Sequence, residues 1–251
     1  MYYCDLSDEL WTLIQGILPK EGSLKGGRPP GDVRTFINAI HWIVRTGAPW
    51  RALPERFGSW KTVYSRFRRW QQKGFWEGIM NLLTPSADME YVMIDGSYIH
   101  AHKHSTGAKR SLGDQAIGRS RGGLTTKLHA VTDALGYLIR FVITGGQCAD
   151  VTMAPLLLEP YSRCGVLADK GYDSDILLEQ IQRQNCTATI PGKRNRVKHH
   201  EIDRHLYKER HLIENFFCKI KEFRRIATRY DKLMPVFHSF ICFASVLIWL
   251  R

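Results

Sequence analysis

No two of the six cysteines form a Cys-x-x-Cys pair, and the nearest two, Cys148 and Cys164, are 16 positions apart. This excludes a dense disulfide scaffold and predicts reduced thiols in a cytosolic chain. The opening residues, MYYCDLSDELW, lack a basic-then-apolar layout, so no secretory leader is expected. A Gly-x4-Gly-Lys-Ser/Thr loop is missing, and ATP chemistry is not expected. No internal repeat is present. Acid is scarce: 24 Asp and Glu stand against 36 Lys and Arg, a formal net charge of +12. That excess says nothing of fold but favours a polyanionic partner, nucleic acid before an anionic membrane. Long uncharged runs are scarce too. Residues 233–250 are 18 positions without a formal charge, just enough to span about 30 Å of hydrocarbon. Pro235, His238, Ser239 and Ser245 interrupt the run and no second one exists, so a buried closing helix is expected and a membrane is not.

What is present is the composition of a folded chain. It has 251 residues, 44% of them apolar and 24% charged, enough for one domain or a small one joined to a medium one. Charge is unevenly placed. Residues 1–84, 101–127 and 193–232 carry net charges of +5, +5 and +7, whereas 85–100 and 128–192 each carry −3. Acidic islands between basic stretches suit a metal-dependent enzyme acting on a phosphate backbone. The acids hold cations and the bases hold strands.

Residues 1–84 read as helical. Leu6, Leu10 and Ile14 recur at helical spacing behind Asp5 or Ser7 as N-cap. A second helix spans about 32–45 and stops at Gly47 and Pro49. Ser59 caps a third, with Trp60, Val63, Tyr64, Phe67 and Trp70 inward and Lys61, Arg66, Arg68, Arg69 and Lys73 outward. A fourth covers 75–83. The set resembles a helix-turn-helix type DNA-binding domain; a plain helical bundle with solvated arginines is the alternative. The five tryptophans Trp42, Trp50, Trp60, Trp70 and Trp76 are expected in its core. After a linker at 84–88 the pattern changes. Strands are expected at 91–94, 124–131, 137–144, 165–168 and 187–190, the second and third forming a hairpin. Helices are expected at 151–158, 173–184 and, as one long element, 203–227. This is an α/β arrangement over 89–251, a mixed sheet with helices on its faces.

Asp95 follows the strand Tyr91-Val92-Met93-Ile94, and Asp169 follows Gly165-Val166-Leu167-Ala168. Both stand at carboxyl ends of strands, the edge where open α/β sheets bind ligands. Two carboxylates side by side repel unless a divalent cation holds them. A third acid completes a two-metal site for phosphoryl transfer. Glu214 is the best third acid. Tyr207, Arg210, Glu214 and Lys221 fall on one helix face at i, i+3, i+7 and i+14. Glu214 then binds metal while Arg210 and Lys221 hold phosphates, or Arg210 and Glu214 are a solvated i,i+4 pair.

These residues carry a resemblance. The chain resembles DDE transposases of bacterial insertion sequences, in the IS4/IS5 group and closest to the IS5 family, over nearly its whole length. The marks are Asp95-Gly96-Ser97, then Ala168-Asp169-Lys170-Gly171-Tyr172-Asp173, then the Tyr207, Arg210, Glu214, Lys221 spacing. Gly27-Arg28-Pro29-Pro30, Gly47-Ala48-Pro49-Trp50-Arg51 and Trp60-Lys61-Thr62-Val63-Tyr64 resemble the family's accessory domain. The resemblance implies a ribonuclease-H-like core with Asp95, Asp169 and Glu214 as catalytic triad and metal ligands. It implies Mg²⁺, with Mn²⁺ as substitute, and cutting and joining of terminal inverted repeats into target DNA. Joining two ends implies a homo-oligomeric synaptic complex on double-stranded DNA, and the resemblance implies the bacterial cytoplasm at the nucleoid. Only 44 residues separate Asp169 from Glu214, which implies that the large β-rich insertion of some relatives is absent or reduced. A nuclease that never joins DNA and a non-catalytic repressor remain as rivals.

Further basic residues are candidate DNA contacts: Lys170 beside the second acid, Arg119 and Arg121 before the second strand, Lys193 and Arg194 after the last, and Arg28 in a Gly/Pro-rich loop suited to a minor groove. Asp173 is expected to cap the next helix, and Asp133 and Asp150 to serve turns and caps. His100, His102 and His104 share one face if extended, but lack the further ligands of a zinc site.

Overall fold

A computed structural model describes residues 5–19, 31–108, 113–196 and 202–251. Arg28 and its loop, His199 and His200 lie outside the described residues. Helix α1 (Asp8–Gln15) begins where the Ser7 hydroxyl accepts the Leu10 N–H, and α2 (Val33–Thr46) where the Asp32 carboxylate accepts that of Thr35 at 2.7 Å. Gly47 ends α2 at φ 70°, against the main chain of Arg224. Helices α3 (Trp60–Gln72) and α4 (Phe75–Asn81) complete the amino-terminal group. Their stripes converge on Phe36, Ile40, Phe67, Trp70 and Trp76, all buried. Arg66 does not look outward as expected. It is 6% exposed. Its guanidinium lies 4.4 Å from the Phe36 ring and donates to the Gly31 carbonyl. The alkyl stem fills the α2/α3 seam while the charge meets a ring face and a carbonyl.

Strands β1 (Tyr91–Ala101), β2 (Gly118–Ser120), β3 (Gly123–Thr132) and β4 (Leu138–Gly145) follow. β3 pairs antiparallel with β1, β2 and β4. In the β3–β4 turn the Asp133 carboxylate accepts the N–H groups of Leu135 and Tyr137, the turn role expected of it. Next come α5 (Asp150–Leu158), β5 (Gly165–Leu167), α6 (Asp175–Arg183) and β6 (Thr187–Thr189). β5 runs parallel to β1 and β6 parallel to β5. The order β3-β1-β5-β6, with β4 paired to β3, makes the mixed ribonuclease-H-like sheet expected.

The chain closes with α7 (Arg204–Lys208), α8 (His211–Lys221), α9 (Arg224–Ala227), the short β7 (Thr228–Arg229) and α10 (Met234–Trp249). Alternation divides the sheet's two faces. Val92, Ile94, Val131 and Val166 pack with Ala154, Leu157, Leu177 and Ile181 of α5 and α6. Met93, Ile99, Leu128 and Ala130 join a larger core with α8, α10 and α1 to α4. Phe67 and Phe240 stack at 4.7 Å, so α10 is shared by the sheet and the amino-terminal helices. It has 16 residues, and among the described residues no helix is long and apolar enough to cross a membrane.

Three elements differ from expectation. β1 does not stop at Ile94 but continues to Ala101, because β3 pairs with it through His100. The helix expected at 203–227 is three. The N–H groups of Glu209, Arg210, Leu212 and Ile213 bond three residues back, and Phe223 is extended, turning its ring into the core. Asp173 does not cap α6; Ser174 does, accepting the Leu177 N–H. The Asp173 carboxylate is buried and instead accepts from Arg196 and the Lys193 N–H.

Candidate active site

Asp95 lies inside β1 on the face that meets α8. β1 pairs with β5 as far as Met93 with Leu167; Asp95 and Asp169 each stand two residues further on, and the Asp169 charge acts on Asp95. On that edge β1 next pairs only at His100, with β7. The two strands therefore part at the acids. Asp169 begins the 3-10 turn Lys170–Tyr172, its carboxylate accepting the Gly171 N–H at 2.7 Å.

Helix α8 supplies the third acid. Arg210 donates to Asp95 Oδ2 at 3.2 Å and to Glu214 Oε1 at 2.5 Å. The i,i+4 pair weighed from periodicity is present, but it is tied to the sheet through Asp95 and is not an isolated surface pair. Lys221, one end of the same face, donates to Ser97 Oγ at 2.6 Å, two residues beyond Asp95 on the same side of β1. The Tyr207 ring lies 6.0 Å from the Arg210 guanidinium.

Burial pushes the Asp95 carboxyl up to about 6; the Gly96 N–H and Arg210 draw it down, while Asp169 and Asp150 add to the rise. Burial lowers the Lys221 ammonium. The Tyr172 hydroxyl, buried and without a hydrogen-bond partner, is raised by burial first and then by Asp150, Asp95 and Asp169. A sheltered carboxylate beside a second one favours a cation, and all three acids offer the hard oxygens that Mg²⁺ or Mn²⁺ takes. Among the described residues no three His, Cys, Asp or Glu side chains are gathered closely enough to hold an ion as they stand. Arg210 occupies oxygens of Asp95 and Glu214, so the donor set fits such an ion in chemistry, with Arg210 as the group to be displaced.

The other candidates are more scattered. Lys170, Arg119, Arg121, Lys193, Arg194 and Arg69 are exposed, although Lys193 also donates to the Asp173 carbonyl. Arg66 is buried. His102 and His104 meet edge to face at 4.4 Å and, among the described residues, belong to no cluster of metal-ligating side chains. Asp150 does not cap as expected: it is the first residue of α5, whose N-cap position is Ala149, and its side chain makes no cap bond. It bonds Lys127 and faces His129 from below the sheet. Its signal in the sequence was Lys127 and His129 alternating with Leu128 in a strand that is otherwise apolar and Thr-rich.

The family model described as "Transposase DDE domain" matches residues 86–247. The chain belongs to the DDE transposases. A second, described as "Putative transposase of IS4/5 family", matches residues 6–80, so this transposase is related to those of IS4/IS5 insertion sequences. It is 44% identical over 130 residues to the Brucella ovis protein named "Putative transposase for insertion sequence element IS6501", covering 51% of this chain and 100% of that one. It is 40% identical over 112 residues to "Uncharacterized protein y4sN" of Sinorhizobium fredii, covering 44% and 88%. The fold matches the piggyBac transposase, solved in a synaptic complex with hairpin DNA. The TM-score is 0.52 at 9% identity, over 96% of this chain and 70% of that one.

Proposed function

We propose that this transposase cuts phosphodiester bonds at the terminal inverted repeats of its own element and transfers the freed strands into target DNA. Asp95, Asp169 and Glu214 act as the catalytic acids and hold Mg²⁺, or Mn²⁺ in its place. The observation that carries the reading is Arg210 bridging Asp95 and Glu214 beside the parting of β1 and β5, where Asp169 emerges. The ion, when bound, activates the attacking oxygen and stabilises the leaving one.

This chain's own residues do the rest. The three carboxylates gather at the open strand edge. Arg210 neutralises two of them in the free protein, and its guanidinium is suited to pair with a backbone phosphate. Lys221, held by Ser97, fixes a second phosphate. Lys170, Arg119, Arg121, Lys193, Arg194 and Arg69 extend the basic surface along the duplex, with Arg28 and Tyr207 as further contacts. Arg66 serves the α2/α3 seam. Residues 1–84 act as the DNA-binding part and 89–251 as the catalytic part. Two ends must be joined, so the working form is at least a dimer on DNA, at the nucleoid.

The test is purified protein with Mg²⁺ and a labelled duplex carrying the DNA that flanks the coding frame, beside Asp95→Asn. Repeat-dependent nicks and joined products, both lost in the variant, support the reading. Nicks without joining leave a nuclease. Tight binding by both proteins without cleavage in Mg²⁺ or Mn²⁺ leaves a repressor.

A further inference from the structure

Directly behind the strand edge that bears Asp95 lies a charged cluster that this chemistry does not use. Gly96 faces the opposite side of the sheet from Asp95, where β3 sets His129 across from it and Lys127 across from Tyr98. Asp150, the first residue of α5, enters from that side. A Cβ on Gly96 would stand 1.8 Å from Asp150 Oδ1 and 3.1 Å from Lys127 Cε. The carboxylate therefore occupies the space that any other residue at 96 would fill.

Asp150 Oδ2 accepts from Lys127 Nζ at 2.5 Å, and Nζ also donates to the Cys148 carbonyl at 3.3 Å. His129 Nδ1 lies 3.2 Å from Asp150 Oδ1, and its Nε2 meets Thr144 Oγ1 at 2.8 Å. The Lys127 side chain is 3% exposed and His129 is fully buried. Burial pushes the Asp150 carboxyl up, but His129 and Lys127 hold it below the usual range. Breaking such a pair is costly, and a packed apolar substitute often serves stability as well. The cluster lies under the part of β1 that has lost β5 and not yet met β7. There β3 pairs along one edge and Asp150 lies beneath, against Gly96.

We propose that Asp150, held by Lys127 and His129, is a positioning residue: it seats in the hollow of Gly96 and sets the height and angle at which β1 presents Asp95 to Asp169. The inference rests on the reading of Asp95 as a catalytic acid. Its cause is steric and electrostatic contact through the backbone, since Asp150 approaches the strand from the face opposite the reacting groups. A misplacement of about 1 Å at a reacting group is worth on the order of a hundredfold in rate.

The test uses the full chain with Asp150→Asn, Lys127→Met, Gly96→Ala, the double variant Gly96→Ala/Asp150→Asn and Asp95→Asn. Cleavage of the labelled flanking duplex in Mg²⁺ is followed with thermal unfolding. The expected result is a fall in kcat of about 10- to 100-fold in each of the first three, with KM for the duplex unchanged at temperatures where all are folded. Gly96→Ala displaces Asp150, so the double variant should be no slower than the slower single one. A kcat unchanged in Asp150→Asn, a loss carried by KM, or losses that multiply in the double variant overturn the inference. If Asp150→Asn fails to fold, Gly96→Ala alone, read by its kcat against KM, decides it. Cleavage surviving in Asp95→Asn overturns the underlying reading instead.

Discussion

Burial holds the Asp95 carboxyl near about 6, above the ordinary 3.8. Folding therefore favours its protonated form. That favourable share of stability is complete below the ordinary value and is lost as pH rises through about 6. At pH 8, without divalent metal, charged Asp95 opposes folding. Asp95→Asn should then abolish cleavage and raise stability by about 1–2 kcal/mol, a gain that vanishes toward pH 4. Thermal unfolding of both proteins in EDTA across that range checks this; a variant less stable at pH 8 contradicts it.

Two elements each depend on the polar contacts of one side chain. The Asp32 cap of α2 bonds both the N–H and the hydroxyl of Thr35, which lowers its carboxyl below 3.8. A lowered group stabilises the fold above its ordinary value, and the contribution is lost as pH falls through the folded one. Asp32→Ala should cost about 1 kcal/mol at pH 7, and chemical denaturation should show the difference closing in strong acid. In the segment after α8, Arg225 pairs with Asp231 at 2.7 Å and donates to the Ala48 carbonyl, with both charged side chains buried. This clamp fixes the break between α8 and α9 against the end of α2. Arg225→Ala leaves Asp231 buried and unpaired, and should cost about 3–5 kcal/mol by denaturant titration. Arg225→Ala/Asp231→Ala should recover part of that.

Across the whole molecule, α10 is the common wall. Phe240 stacks on Phe67 and lies 6.1 Å from Trp50, while Phe243 meets Trp76. The amino-terminal helices and the sheet thus bury apolar surface against one helix. Unfolding followed by tryptophan fluorescence and by far-ultraviolet circular dichroism should coincide in one transition. Phe240→Ala should lower stability by about 3–5 kcal/mol in both signals together. Two separated transitions would show that the parts unfold independently.

The sequence by itself determined most element types, the hairpin and the two strands that carry or precede the acids, because these rest on local periodicity and turn chemistry. It also marked Asp95, Asp169 and Glu214 as candidates, through strand ends and one helix face. Tertiary structure decided what locality cannot. Asp95 lies within β1, because β3 prolongs pairing past the acid. The helix expected at 203–227 breaks, because Phe223 turns into the core and Arg225 finds Asp231 and Ala48. Arg66, polar by type and outward by period, is buried because Phe36 and the Gly31 carbonyl receive its charge. Asp150 reads as a cap beside α5; only the folded sheet, with Gly96 hollowed and Lys127 turned beneath it, brings it behind the acids. Local preference selects the pieces, whereas partners distant in the chain select which polar groups leave water.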